Sequence, residues 1–214
     1  MAANPEVESL PEDLKAAMAF HGHFCPGLLI GYRASKAALA RLRTGRSEDE
    51  DLVAVVENDS CSVDAVQFVT GATFGKGNFV FRDYGKQVFT FIRRSDGKAL
   101  RVSLRADGKD LQNPTDEEKR TLEEYGATKE PSDELRRKAR ALSAKGLLEN
   151  PDEKLFDIEW VDVPMPERAR IHKSIKCGSC GENTMETRVV ECEGESFCYP
   201  CALKRPDCAG KVPR

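Results

Sequence analysis

Two of the three histidines and one of the eight cysteines in this chain lie in one short segment, Phe20-His-Gly-His-Phe-Cys-Pro-Gly27. Pro26 disfavours helical dihedrals at Cys25, which predicts an extended backbone with His21, His23 and Cys25 projecting to one side and Phe24 to the other. Two imidazoles and a thiolate converging in this way are metal ligands by type. The competing reading is a structural loop in which the histidines only form hydrogen bonds. A second segment, Glu57-Asn-Asp-Ser-Cys61-Ser-Val-Asp64, turns from an apolar run into a helix. It sets Cys61 near a helix N-terminus, where the macrodipole favours a thiolate. Cys25 stands in the same relation to the helix that Pro26 begins. The carboxylates of Glu57, Asp59 and Asp64 oppose thiol ionisation unless a metal compensates them. Taken singly, Asp64 is explained by first-turn stabilisation and Asp59 by N-capping. Together the two segments predict one pocket in which His21, His23, Cys25 and Cys61 hold a divalent metal, with Cys25 and Cys61 the candidate catalytic thiols.

Six cysteines crowd into the last 38 residues. Cys177-Gly-Ser-Cys180 and Cys198-Tyr-Pro-Cys201 form two knuckles, each able to aim two thiolates at one ion, and together they predict a tetrahedral four-sulfur site. Soft ligands with no open position select structural Zn²⁺. Two disulfides would require an oxidising compartment. Cys192 and Cys208 lie outside the knuckles and are expected to be bystanders, or to replace a ligand.

Other motifs carry less. Gly71-Ala-Thr-Phe-Gly75-Lys76-Gly77-Asn78 misses the phosphate-loop pattern in glycine spacing and in the Ser/Thr position. Phe79, Phe81, Phe89 and Phe91 alternate as strand core. The 33 Lys/Arg against 36 Asp/Glu leave a net charge of -3. Residues 164–214 hold nine Lys/Arg and seven Asp/Glu, an excess that a zinc–tetrathiolate would cancel. That balance speaks against nucleic acid as a partner. No apolar run is long enough to span a membrane, and the N-terminal residues lack the pattern of a secretory leader, so a cytoplasmic protein is expected.

The elements that must position these groups follow from the spacing. Residues 10–20 read as a helix entered through Pro11. Residues 26–43 read as another, with Ile30, Ala34, Ala37 and Ala38 as its buried stripe. Residues 52–57 predict a buried strand, and 62–70 a helix closed by Gly71. Runs at 78–82, 87–94 and 99–105, joined by Asp83-Tyr-Gly85 and Ser95-Asp-Gly97, predict an antiparallel meander. Helices are expected at 116–125 and 132–148, and a last strand at 155–163, before Pro164 and Pro166 stiffen the connector. The class is therefore α+β: a layered α-β-α-β-β-β domain over 1–163, with a helical extension from about 107, and a connector and finger over 164–214.

HGHFCPGLLIGYRA (21–34), VENDSCSVDAVQFVTGATFGKGNFVFRDYGKQVFTF (56–91), the VPMPERARIHKS connector and the four-cysteine module together resemble the E-subunit family of formylmethanofuran dehydrogenase. The resemblance implies an N-terminal domain grouped with the glyceraldehyde-3-phosphate dehydrogenase domain and a treble-clef finger of the DksA/TraR type. It also implies that His21, His23, Cys25 and Cys61 are the metal or active-site groups. Members of that family accompany a molybdenum- or tungsten-pterin dehydrogenase that fixes CO2 as a formyl group. The chain has no ferredoxin-type cysteine runs and no pterin-binding signature. The expected function is thus a metal-binding accessory protein associated with molybdenum- or tungsten-dependent one-carbon metabolism, in complex with such a dehydrogenase. The alternatives are a stand-alone thiol- or metal-dependent enzyme and a regulator acting through its finger. The alanine-rich helix and the extension predict a homodimer.

Overall fold

The computed structural model describes residues 10–213. The N-terminal stretch on which the leader argument rests lies outside them. The chain forms two compact units, the first ending at Arg168 and the second beginning at Ala169.

In the first unit α1 (Glu12–His21) and α2 (Pro26–Leu42) precede β1 (Leu52–Val56), α3 (Ser62–Thr70), β2 (Phe79–Phe81), β3 (Val88–Arg93) and β4 (Ala99–Leu104). Then come α4 (Asp116–Ala127), α5 (Asp133–Glu149), a single turn α6 (Asp152–Leu155) and β5 (Phe156–Val161). The strands form one five-stranded sheet in the order β2-β1-β3-β4-β5. This is the expected α+β class, with one correction to the strand pairing. β2 does not hairpin onto β3; it runs parallel to β1, as the β1-α3-β2 connection requires. Arg82 N donates to Val56 O at 2.9 Å and Lys86 N to Glu57 O at 2.9 Å, so the chain turns across the end of β1. It comes back antiparallel on β1's other side as β3. Asp83-Tyr-Gly85 is thus a turn but not a hairpin, because β1 has a free edge on each side and fills both. The second turn does form the expected hairpin, with Gly97 N donating to Arg93 O at 2.9 Å. β5 joins β4 antiparallel, so the last strand completes the main sheet after the helical extension.

All five residues of β1 are buried. Leu52, Ala54 and Val56 face the helices in one core cluster with Phe89, Phe91, Leu100 and the stripes of α2 and α3. Alternate residues Val53, Val55, Ile92 and Ala99 form a smaller cluster of their own. Burying both faces explains an apolar run without alternation. In α2, Ile30, Ala34, Ala37 and Ala38 are all buried, as their spacing predicts. At Gly31 the backbones of α2 and α3 come close together: a Cβ there would stand 2.0 Å from Ser62 O. A side chain there requires the helices to move apart.

α5 is fixed against α2 by an arginine. Arg33 donates to the Leu147 carbonyl at 2.5 Å, to Asn150 O at 2.9 Å and to Asp152 Oδ1 at 3.0 Å. A guanidinium at a helix C-terminus satisfies carbonyls that lack intrahelical partners. Ala144 and Leu147 of α5 join the main core. The helical extension is therefore a wall of the domain and forms one side of the cleft described below. α4 has no buried residue and is held to α5 by the Glu118–Lys145 ion pair at 2.8 Å.

The second unit contains two small hairpins, β6 (Ser174–Lys176) with β7 (Asn183–Met185) and β8 (Val189–Cys192) with β9 (Glu195–Cys198), followed by the turn α7 (Tyr199–Ala202). Its core is Val190, Phe197 and Ala202 together with the buried cysteines.

Candidate metal centres

The helix-breaking residues between α1 and α2 bring the N-terminal group together. His21 is the last residue of α1, and Gly22 follows in the left-handed region at φ 94°. That conformation costs glycine little and reverses the chain. Cys25 is the N-cap of α2 at φ -153°, ψ 159°, and its Sγ accepts from Leu28 N at 3.4 Å. The expectation of one extended segment is thus corrected at His21. The imidazole comes off a helix end, and the left-handed glycine, not strand alternation, points it back toward Cys25.

Cys61 is delivered by the other motif, at the N-cap position of α3. Asp59 is not the cap. The loop is held instead by Asn58, whose Nδ2 donates to Lys86 O at 2.7 Å. Asn58 Oδ1 accepts from Ser60 N at 3.1 Å, Ser60 Oγ at 2.8 Å and Ser62 Oγ at 3.1 Å. Gln87 adds a bond from Nε2 to Ser60 Oγ at 3.0 Å. A buried amide with every partner supplied locally fixes the loop's path. Gly27 clears the space between the motifs: a Cβ there would meet Cys61 Cβ at 3.1 Å and both sulfurs at 3.8 Å.

One ligand atom from each of His21, His23, Cys25 and Cys61 lies within 4.8 Å of all the others. A divalent ion bonded to sulfur at about 2.3 Å and to nitrogen at about 2.0 Å needs ligand atoms roughly 3.3–3.8 Å apart, so small side-chain rotations close the set. Cys25 Sγ is already 3.9 Å from His21 Nε2. The His21 and His23 rings are stacked at a tilt, with centroids 4.4 Å apart. Asp64 acts where its sequence position suggested only helix stabilisation. Its Oδ2 lies 2.7 Å from His21 Nδ1, so a ring donating Nδ1–H there leaves Nε2 free for a ligand bond. Burial, followed by the nearby Cys25 sulfur, raises the Cys61 thiol above its ordinary pKa. A metal replacing that proton removes the penalty.

The finger's four sulfurs, Cys177, Cys180, Cys198 and Cys201, likewise lie within 4.8 Å of one another. Cys180 and Cys198 are 3.9 Å apart, close to the ~3.8 Å edge of a zinc–thiolate tetrahedron. The first pair sits in the tight turn between β6 and β7. The second spans the end of β9 and the first turn of α7. The backbone N–H groups of Cys180 and Cys198 lower the Cys177 thiol to about 6. Cys177 is thus favoured as thiolate before any metal binds, whereas burial and the neighbouring sulfurs outweigh the backbone bonds at Cys180, raising its thiol to about 12, and raise the Cys198 thiol as well. Cys192 and Cys208 stay outside the four-sulfur set, as bystanders to it would. They pair with each other as a disulfide with Cα atoms 5.9 Å apart, tying β8 to the segment after α7. Both are buried in the unit's core. Spacing carries no sign of this, because the two residues meet only once the second hairpin has formed.

Sequence reading missed the cleft beside the N-terminal group. His23, Cys25 and Cys61 line a cavity of about 1170 Å³ whose far wall is the Arg136, Arg137 and Arg140 face of α5. Those arginines recur at helical spacing, a signal easily discounted because charge on a helix is usually a solvated face.

Residues 20–157 match the family model described as FmdE, molybdenum formylmethanofuran dehydrogenase operon. Over 212 residues the chain is 35% identical to a protein of Archaeoglobus fulgidus named as a probable S-adenosyl-L-methionine-binding protein. The match covers 94% of this chain and 55% of that relative, so the chain spans about half the relative's length. The fold is similar to the crystal structure of an FmdE-like protein of the tungsten formylmethanofuran dehydrogenase type from Syntrophus aciditrophicus, with a TM-score of 0.61 and 23% identity. That likeness covers 96% of this chain and 99% of the other. The family match takes in α2, β1 and α3, together with His21, His23, Cys25 and Cys61, and on that ground the chain belongs to the FmdE family.

Proposed function

We propose that this protein is a metal-binding accessory protein of molybdenum- or tungsten-dependent one-carbon metabolism. In this reading it carries a His/Cys metal centre in its first unit and a structural zinc in its finger. The observation behind it is that four soft or borderline ligands, brought from a helix C-terminus, the loop after it and two helix N-caps, have ligand atoms within 4.8 Å of one another. Asp64 on His21 is the outer carboxylate that such centres use to orient an imidazole. The finger's sulfur set and its lowered Cys177 thiol support zinc there. The family name supports association with a formylmethanofuran dehydrogenase complex. No helix among the described residues is long and apolar enough to cross a membrane. We place the protein in the cytoplasm as a homodimer, with a connector leaving the first domain at about residue 164 and leading into the finger.

One observation favours the second reading, a thiol- or metal-dependent enzyme. His23, Cys25 and Cys61 open onto a cavity, so an ion held by them would be reachable by a small molecule, with Cys25 and Cys61 the reactive groups. Elemental analysis of the purified full chain tests the shared premise. Two metal equivalents are expected, falling to one in Cys61→Ala, with the finger's equivalent retained. A single equivalent that Cys61→Ala leaves untouched would overturn the N-terminal centre. Light scattering showing a monomer near 23.7 kDa would overturn the dimer.

A further inference from the structure

The cavity next to the His/Cys group is far larger than an ion needs. At about 1170 Å³ it exceeds the ~300–1,000 Å³ of ordinary small-molecule sites, and Phe24, Leu142 and Leu148 give it apolar lining. Its charge is lopsided. Arg136, Arg137 and Arg140 line it from successive turns of α5, with Asp133 and Glu149 near the helix ends. Lys145, which also lines it, is already paired with Glu118 at 2.8 Å. Arg136 spends only Nε, on Pro131 O at 2.8 Å. Arg137 and Arg140 have no ion pair among the described residues. Three exposed arginines on a helix ordinarily need no explanation. These three differ because the face they occupy looks across a cavity at two thiols and an imidazole.

We propose that this cleft binds a small organic anion whose carboxylate or phosphate is held by Arg136, Arg137 and Arg140. Its body lies along the apolar lining, and its other end reaches the His21, His23, Cys25 and Cys61 centre. Guanidinium groups suit both oxyanions because their planar forks donate paired hydrogen bonds to either. The proposal rests on the reading of that centre as a ligand site and adds the chemical class of what it meets. A nucleic-acid backbone fits less well: the same lining carries the carboxylates Asp133 and Glu149, and the chain as a whole carries net negative charge.

The test uses the full chain and three probes of similar body and different charge: 3-phenylpropionate, phenyl phosphate and phenethylamine. Binding is followed by calorimetry at low salt, with metal content measured on the same samples. One or both anions should bind and the amine should not; which anion binds more tightly distinguishes carboxylate from phosphate. Arg137→Gln combined with Arg140→Gln should weaken anion binding at least tenfold and leave metal content unchanged. Lys138→Gln removes a like charge from the same helix at a residue paired with Glu134, 2.9 Å away, and should leave binding unchanged. Binding of the amine as tight as that of the anions, no binding by either anion, or an equal loss in Lys138→Gln would each overturn the proposal. A protein that lacks the N-terminal metal but keeps arginine-dependent anion binding would sink the metal reading and leave this one standing.

Discussion

The α2–α3 crossing links fold to site, and Gly31→Ala tests that link. The added Cβ would stand 2.0 Å from Ser62 O, 2.7 Å from Ser62 C and 2.8 Å from Ser62 Cα. All three are backbone atoms, so no side-chain rotation relieves them. Restoring ordinary contact at 3.4 Å requires the helices to separate locally by about 1.4 Å. Overpacking of this kind costs roughly 1–3 kcal/mol, and a backbone clash belongs at the upper end. Alanine returns up to about 1 kcal/mol of helix propensity, leaving a net loss of about 2 kcal/mol. For a protein of this size that is a fall in Tm of about 4–8 °C. Ser62 directly follows Cys61, so the same displacement carries Cys61 away from Cys25 and should weaken the N-terminal metal centre. Gly126→Ala in α4 is the matched control: no atom lies within 4 Å of its Cβ position, so its stability should stay level or rise by up to about 1 kcal/mol. Thermal denaturation with and without cobalt, whose thiolate bands report the site, measures both effects. A Gly31→Ala protein as stable as its parent refutes the close-crossing argument. Lowered stability with unchanged cobalt affinity refutes the link from helix spacing to metal.

Three further outcomes follow from single contacts. Asn58→Ala removes an amide with four hydrogen-bonding contacts in the Cys61 loop; it should cost about 2–4 kcal/mol in denaturant unfolding and lower N-terminal metal content. Unchanged stability would show that water replaces the amide. Chelation should unfold the second unit alone, seen as loss of amide dispersion for residues 169–213, since a module with so small a core depends on its metal; retained dispersion would contradict this. For Asp13, burial raises the carboxyl pKa, but bonds from Lys36 and Tyr32, each 2.8 Å, outweigh it and hold the carboxyl below its ordinary value. A depressed folded pKa gives stability that is present above the unfolded value of about 4 and lost as pH falls through the folded one. Asp13→Asn should therefore flatten the loss of stability on the acid side in a pH-resolved denaturation series, and an unaltered acid limb would count against the contact.

Local chemistry in the sequence determined much of this protein. The element types are set by residues acting on their own neighbours: Pro26 opening α2, Gly71 closing α3, and the unbroken apolar run of β1 that demands burial on both faces. The four finger sulfurs follow from knuckle spacing, since two residues between cysteines leave a turn little choice of direction. His21, His23, Cys25 and Cys61 are readable as candidates from ligand type and, for the two cysteines, from their places at helix N-termini. Only the tertiary structure decided how those pieces meet. β1 offers two equivalent edges, and no residue in Asp83-Tyr-Gly85 states which edge the next strand takes; the choice lies in the returning chain's bonds to Val56 and Glu57. Asp64 becomes the partner of His21 through a contact 43 residues distant in sequence, and Cys192 finds Cys208 through a hairpin that must form first. The arginine face of α5 is the clearest case. Its residues read as solvated because charge on a helix usually is, and only the seating of α5 by Arg33, Ala144 and Leu147 turns that face toward His23, Cys25 and Cys61. Periodicity reports which side of a helix differs from the other, whereas what stands opposite that side is fixed by contacts between residues far apart in the chain.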